Sequence, residues 1–191
     1  MKKRQLMIVL LLAALSSVSL YARENEKKLC YKISYYGNNL WNPGFNAGLE
    51  YPYSTKEITD RKERTDILQS AVSVDLAFYA DPGSHAAILL HSGLKLKKIT
   101  ENALALYIGF SPLGIYRSFL PETYDVSDEW AVTRVNLPGR TYYAPNISFG
   151  IENRLSRPHL DACFLEMEAT TLVPYNTYAM FLLNIKLGVR L

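Results

Sequence analysis

From Tyr31 to the end of the chain, apolar residues recur at every second position. No stretch there is long and apolar enough to cross a bilayer as a helix. That period belongs to β-strands with two unlike faces. Tyr31, Ile33 and Tyr35 alternate with Lys32, Ser34 and Tyr36. Residues 45–53, 72–78, 88–96, 104–110, 143–151, 163–169 and 181–191 behave the same way. Turn residues separate them, among them Gly37-Asn38-Asn39, Asn42-Pro43-Gly44 and Asp81-Pro82-Gly83-Ser84. The pattern predicts an all-β fold, an antiparallel up-and-down barrel of eight strands, with no repeat and no second domain. Residues 55–68 are the best helix candidate and read equally well as a solvated loop. Residues 112–140 are the one connection long enough to be a functional loop.

Alternation does not say which face is inside. A soluble lipocalin-like barrel turns its apolar face inward, and a membrane barrel turns it outward. Three features favour the membrane. The polar face is rich in Gly, Ala, Ser and Asn, with sparse charge, unlike a water-exposed sheet. Its charges nearly balance: Lys32, Lys95, Lys97, Arg154, Lys186 and Arg190 against Glu50, Asp75, Glu152, Glu166 and Glu168. A barrel of eight strands is filled by side chains, so buried charges must pair. With His91 these residues are the expected lumen network, although a solvated strand face remains open for Lys95 and Lys97. Finally, Tyr31, Tyr51, Tyr53, Tyr143 and Phe181 lie near strand ends, where aromatics suit a membrane interface. Such a barrel has no water-filled pore, which argues against a general porin.

The N-terminus reads as an export signal. Residues 1–4 carry three positive charges, 6–15 are apolar, and 16–22 are rich in small residues. Cleavage after Ala22 or after Ser19 is expected. This divides the chain into a signal (1–22), a tail (23–30) and a barrel domain (31–191). An even strand count leaves both termini on one side, the periplasm, and puts residues 38–42, 81–84, 112–140 and 174–176 outside the cell. The expected location is the outer membrane of a Gram-negative envelope. The expected partners are its lipids and the barrel insertion machinery, with the exterior ligand left open. A net charge of +3 argues against a nucleic-acid partner.

The run GRTYYAPNISFGIENRLSRP resembles a segment of small eight-stranded outer-membrane β-barrel proteins of Bacteroidetes-type bacteria. HAAILLHSGLKLKKITENALALYIGFSPLGIYRSFL and ETYDVSDEWAVTRV are similar to their strand–turn–strand and following loop. The resemblance runs from about Leu68 onward. It implies an outer-membrane barrel and transfers no catalytic residue. One departure is the final residue, Leu191, where such proteins commonly carry an aromatic.

Few residues suggest chemistry. A lipid-modifying barrel of the lipid A deacylase kind would need a Ser nucleophile within reach of a His base. His91-Ser92 and Ser84-His85 are the pairs available. Neighbours on a strand face opposite ways, so His91 and Ser92 cannot pair. Ser84-His85 lies at a turn without an evident third member. The 3 His show no metal-ligand spacing, and no cofactor is expected. Asn146-Ile147-Ser148 matches a glycosylation sequon but lies within a strand. Cys30 and Cys163 fall on strands with one strand between them, about 9–10 Å apart, too far for a disulfide. The sequence therefore points to a structural or loop-mediated binding role rather than an enzyme. Tyr116, Arg117, Trp130 and Arg134 are the candidate loop contacts.

Overall fold

The computed structural model describes residues 29–39, 42–59, 65–82, 84–126, 132–157, 160–175 and 178–191. The expected export signal and the tail as far as residue 28 lie outside the described residues, as does Trp130. Five long strands come first: β1 (Cys30–Asn38), β2 (Asn42–Thr59), β3 (Thr65–Asp81), β4 (His85–Ile99) and β5 (Leu104–Phe119). Three short ones follow, β6 (Tyr124–Val126), β7 (Val132–Arg134) and β8 (Thr141–Tyr143). The long strands β9 (Asn146–Arg157), β10 (Leu160–Tyr175) and β11 (Tyr178–Arg190) complete the chain.

The long strands pair antiparallel in chain order, β5 joins β9, and β11 returns to β1. Closure runs from Lys32 opposite Arg190 to Asn38 opposite Asn184. Tyr31 and Leu191 add two backbone hydrogen bonds, of 3.1 and 2.8 Å. The result is a ring of eight strands without an open edge. One position in the ring is broken. β8 and β9 occupy it together, separated by Ala144 and Pro145. Pro145 has no N–H to offer a ladder, but its carbonyl accepts from Thr171 at 3.0 Å, and the Ala144 N–H donates to the Gly114 carbonyl at 2.9 Å. Position 114 has to be glycine: a Cβ there would stand 1.8 Å from the Ala144 carbonyl oxygen.

The barrel is inside out relative to a water-soluble protein. Its outer face carries Ile33, Phe45, Leu106 and Phe149, each more than half exposed, while Lys97, Glu166 and Lys186 inside are at most 2% exposed. Apolar side chains outside and charges within suit lipid as the solvent. The closed ring satisfies the backbone polar groups that lipid leaves unsolvated. Strands of 9 to 18 residues are long enough to cross. This is an eight-stranded transmembrane β-barrel.

The described residues of the segment expected as a helix or loop are strand. Thr55–Thr59 of β2 pairs with 65–69 of β3, Lys56 opposite Leu68 and Ile58 opposite Asp66. This hairpin runs past the first residue of β1, on the side of the barrel where the termini lie. Cys30 is buried and Cys163 is exposed, and no disulfide joins them.

Candidate functional site

Inward-facing charges form two ion-pair clusters. In the first, Lys32 reaches Asp75 at 2.9 Å and Glu50 at 3.9 Å, and Lys97 binds Glu50 at 2.9 Å and Glu152 at 2.7 Å. Arg190 lies 3.0 Å from Glu152 and 3.7 Å from Glu50. Three cations thus meet three carboxylates. In the second, Lys95 binds Glu166 at 2.5 Å, and Lys186 lies 3.2 Å from Glu166 and 2.6 Å from Glu168. Two cations meet two carboxylates. His91 stands at the end of this cluster, 3.5 Å from Glu168 and 2.6 Å from the Asn146 amide. Tyr107 links the clusters. Its hydroxyl donates to Glu166 at 2.9 Å, and the ammonium groups of Lys95 and Lys97 lie 4.9 and 5.5 Å from its ring centre. Each cluster balances its own charge, which is what a lumen without bulk water requires.

Towards the mouth away from the termini the lining changes character. Tyr36, Tyr79, Leu89, Tyr116, Leu172 and Leu182 form a buried layer across the barrel. Tyr36 stacks on Tyr79 with ring centres 6.3 Å apart, and Tyr116 lies 5.8 Å from Tyr142. Above this layer the barrel opens into a cup of about 570 Å³. Its floor includes Leu172, Leu182 and Met180, and its rim carries Asn39, Asn42, Asp81 and Arg140.

His85 organises one wall of the cup. Its Nδ1 lies 2.9 Å from Ser84 Oγ. Its Nε2 lies 3.1 Å from the Tyr79 hydroxyl and 3.0 Å from the Tyr116 hydroxyl, which are 2.9 Å from each other. The four groups carry one exchangeable proton each. In either neutral tautomer of His85, the triangle of Nε2 and two hydroxyls can satisfy two of its three edges: a bare Nε2 leaves only two protons, and a protonated Nε2 cannot accept. The cluster therefore uses at most three of its four protons internally.

The residues expected to contact an exterior ligand divide. Tyr116 is not in a loop: β5 continues to Phe119, and Tyr116 points into the barrel, 4% exposed. Arg117 braces the returning chain, donating to the Leu137 carbonyl at 3.0 Å and to Thr141 Oγ1 at 3.3 Å. Arg134 is exposed and pairs with Glu122 at 2.7 Å, near the base of the β6–β7 hairpin. Trp130 lies outside the described residues. Within the lumen set, Glu50, Asp75, His91, Lys95, Glu152, Glu166, Glu168, Lys186 and Arg190 are buried together. Arg154 is not among them. It faces the lumen side, opposite buried Ala162, but at the end of the barrel where water reaches it. Its charge is solvated there and needs no partner. Asn146, the sequon asparagine, is a lumen residue held by His91.

Sequence reasoning passed over the cup. Asn38, Asn39 and Asn42 looked like turn formers, and the Ser84-His85 pair showed no further member. Tyr79 and Tyr116 are 37 residues apart, so only strand pairing brings them together.

No family model and no curated protein matches the chain in sequence. Among solved structures, it is similar to Neisserial surface protein A, with 12% identity over 85% of this chain and 92% of that one, TM-score 0.47. It is also similar to the outer membrane enzyme PagL, with 9% identity over 85% of this chain and 98% of that one, TM-score 0.49. A third is the Yersinia pestis outer membrane protein Ail, with 11% identity over 87% of this chain and 100% of that one, TM-score 0.39. At these identities the likeness brings no residue role to this chain.

Proposed function

We propose that this chain is an integral outer-membrane protein in which a plugged barrel presents a binding mouth to the cell exterior. The contrast between the two halves of the lumen carries this reading. The charged half is filled by ion pairs, while the half away from the termini holds the 570 Å³ cup. A filled lumen is a scaffold, and a polar-rimmed cavity at its end has the size of a small-ligand site. The outward-facing apolar band favours a membrane, and closed barrels of this kind belong to outer membranes. The long connection from 120 to 140 lies on the side of the cup, and long loops of such barrels face outward. The narrower kinship with Bacteroidetes-type barrels rests on the sequence motifs alone.

Intact cells test the orientation. An epitope inserted after Asp125 should be reached by antibody without permeabilisation, and one inserted after Thr59 only after it. The reverse result would place the cup in the periplasm. Retention in membranes after a detergent-free wash, with altered migration on boiling in SDS, checks the barrel itself. Release of the protein by the wash would overturn the membrane reading.

One observation favours a second reading. Ser84 Oγ and His85 Nδ1 are within hydrogen-bond distance, and the tyrosine hydroxyls hold the other ring nitrogen. This is the nucleophile–base–orienter order of a Ser hydrolase. The pair lines the cup, so an ester substrate would enter from the mouth rather than from the lipid. Turnover of a nitrophenyl ester that disappears in both Ser84→Ala and His85→Ala would establish an enzyme.

A further inference from the structure

We infer that the cup binds a short saccharide. This rests on reading the mouth as a binding site and adds the class of ligand. Three properties of the lining decide it. The first is charge. Asp81 and Arg140 contribute one charge of each sign, so a simple anion meets Asp81 and a simple cation meets Arg140. A ligand of low net charge meets neither penalty.

The second property is hydrogen-bond sense. Asn39 and Asn42 carry amides that both donate and accept, and the Ser84 hydroxyl does the same. Asn39 uses its oxygen to accept from the Leu183 N–H at 3.3 Å, which fixes its amide in the rim. A wall of groups that both donate and accept suits a ligand whose groups also do both, and sugar hydroxyls are such groups. A carboxylate or phosphate only accepts, and an ammonium only donates.

The third property is the floor. Leu172, Leu182 and Met180 present aliphatic surface beneath the polar rim. The C–H face of a pyranose covers such a surface while its hydroxyls stay at the rim. The floor is rigid, because Leu172 and Leu182 belong to the buried layer with Tyr36 and Tyr79. A preformed cavity keeps the entropy cost of binding low.

The ligand has two possible sources, a free saccharide or the sugar headgroup of a neighbouring membrane glycolipid. The test uses the full chain folded in phospholipid nanodiscs. One arm titrates neutral mono- to tetrasaccharides of the gluco, galacto and manno series, and another titrates the delipidated core oligosaccharide of a lipopolysaccharide. A further arm titrates small amino acids and dicarboxylates. Saturation-transfer NMR and calorimetry read binding. Asn42→Ala and Asp81→Ala remove rim groups, and Lys56→Ala, on the exposed β2–β3 overhang at the opposite end, serves as a control. A boiling-dependent mobility shift confirms that each variant is folded.

Binding of a saccharide that weakens at least tenfold in the rim variants and not in Lys56→Ala is the expected result. If only the core oligosaccharide behaves this way, the source is the membrane glycolipid. Saccharide binding unaffected by the rim variants would overturn the proposal. So would binding confined to the charged solutes, although the mouth would then stand as a binding site of another class. Silence in every arm would overturn both the saccharide and the binding mouth.

Discussion

Glu166 faces two lysines at once. Its Oε2 takes Lys95 and the Tyr107 hydroxyl, and its Oε1 takes Lys186. Glu166→Gln keeps the shape and removes the charge, stranding Lys95 in a site that is 2% open at Glu166. Breaking one side of a buried pair costs about 3–5 kcal/mol. Denaturant titration of the barrel in micelles should show a loss of that order. The double variant Lys95→Met/Glu166→Leu should lose less than Glu166→Gln, because no charge is then left alone. Gly150 offers a second residue-scale test. A Cβ there would lie 2.1 Å from the Tyr107 ring. Gly150→Ala must displace Tyr107 from Glu166 and should cost about 1–3 kcal/mol, as overpacking does. Most inward and outward positions were legible from alternation, since parity alone assigns a face. Tyr116 was not, because a bulge intervenes. β4 and β5 shift register between Ser92 and Leu94, so Pro112 and Leu113 both face outward and the parity reverses beyond them. Arg154 had the right parity but lies at the barrel end, and parity carries no information about depth.

Among elements, β2 and β3 show why the charged stretch 55–68 misled. Its charges suit a solvated helix as well as a solvated hairpin, and no local signal separates them. What selects the hairpin is the ladder already formed by Gly44–Tyr51 with 72–79, which simply continues outward past the bulge after Pro52. Beyond the membrane the same strand loses its solvent constraint. Ile108, midway along the apolar face of β5, and Ile58, on the overhang, are similarly exposed at 43% and 47%. Their environments differ. Ile108→Arg should destabilise the barrel by about 2–4 kcal/mol, the cost of a cation at the bilayer midplane. Ile58→Arg should stay within about 0.5 kcal/mol, as an ordinary surface change. Comparing the two by denaturant titration in lipid vesicles reads the position of the membrane directly. Equal losses would mean that the overhang is not in water. On the β6–β7 hairpin, the exposed Arg134–Glu122 pair should contribute no more than about 1 kcal/mol, so Arg134→Ala should leave the midpoint almost unchanged.

At the scale of the whole molecule, the barrel holds two barriers in series. One is electrostatic: both ion-pair clusters fill the lumen with paired charge and are individually neutral. The other is steric, the buried layer of Tyr36, Tyr79, Leu89 and Tyr116 beneath the cup. An ion entering from the termini side would have to break pairs that have no water to replace them. An ion entering from the cup meets the closely packed tyrosine and leucine side chains of that layer. The wild-type protein in planar bilayers should therefore show no steady conductance. The serial arrangement makes a sharper demand. Glu50→Ala combined with Lys97→Ala removes one opposite pair of the first cluster and keeps its charge sum unchanged, while the second cluster and the tyrosine layer stay in place. That variant, once its mobility shift shows it folded, should remain as silent as the parent. A steady ohmic current in the wild type would mean that neither barrier is closed. Current in the double variant alone would place the whole seal in the first cluster and leave the tyrosine layer as no more than a floor for the ligand above it.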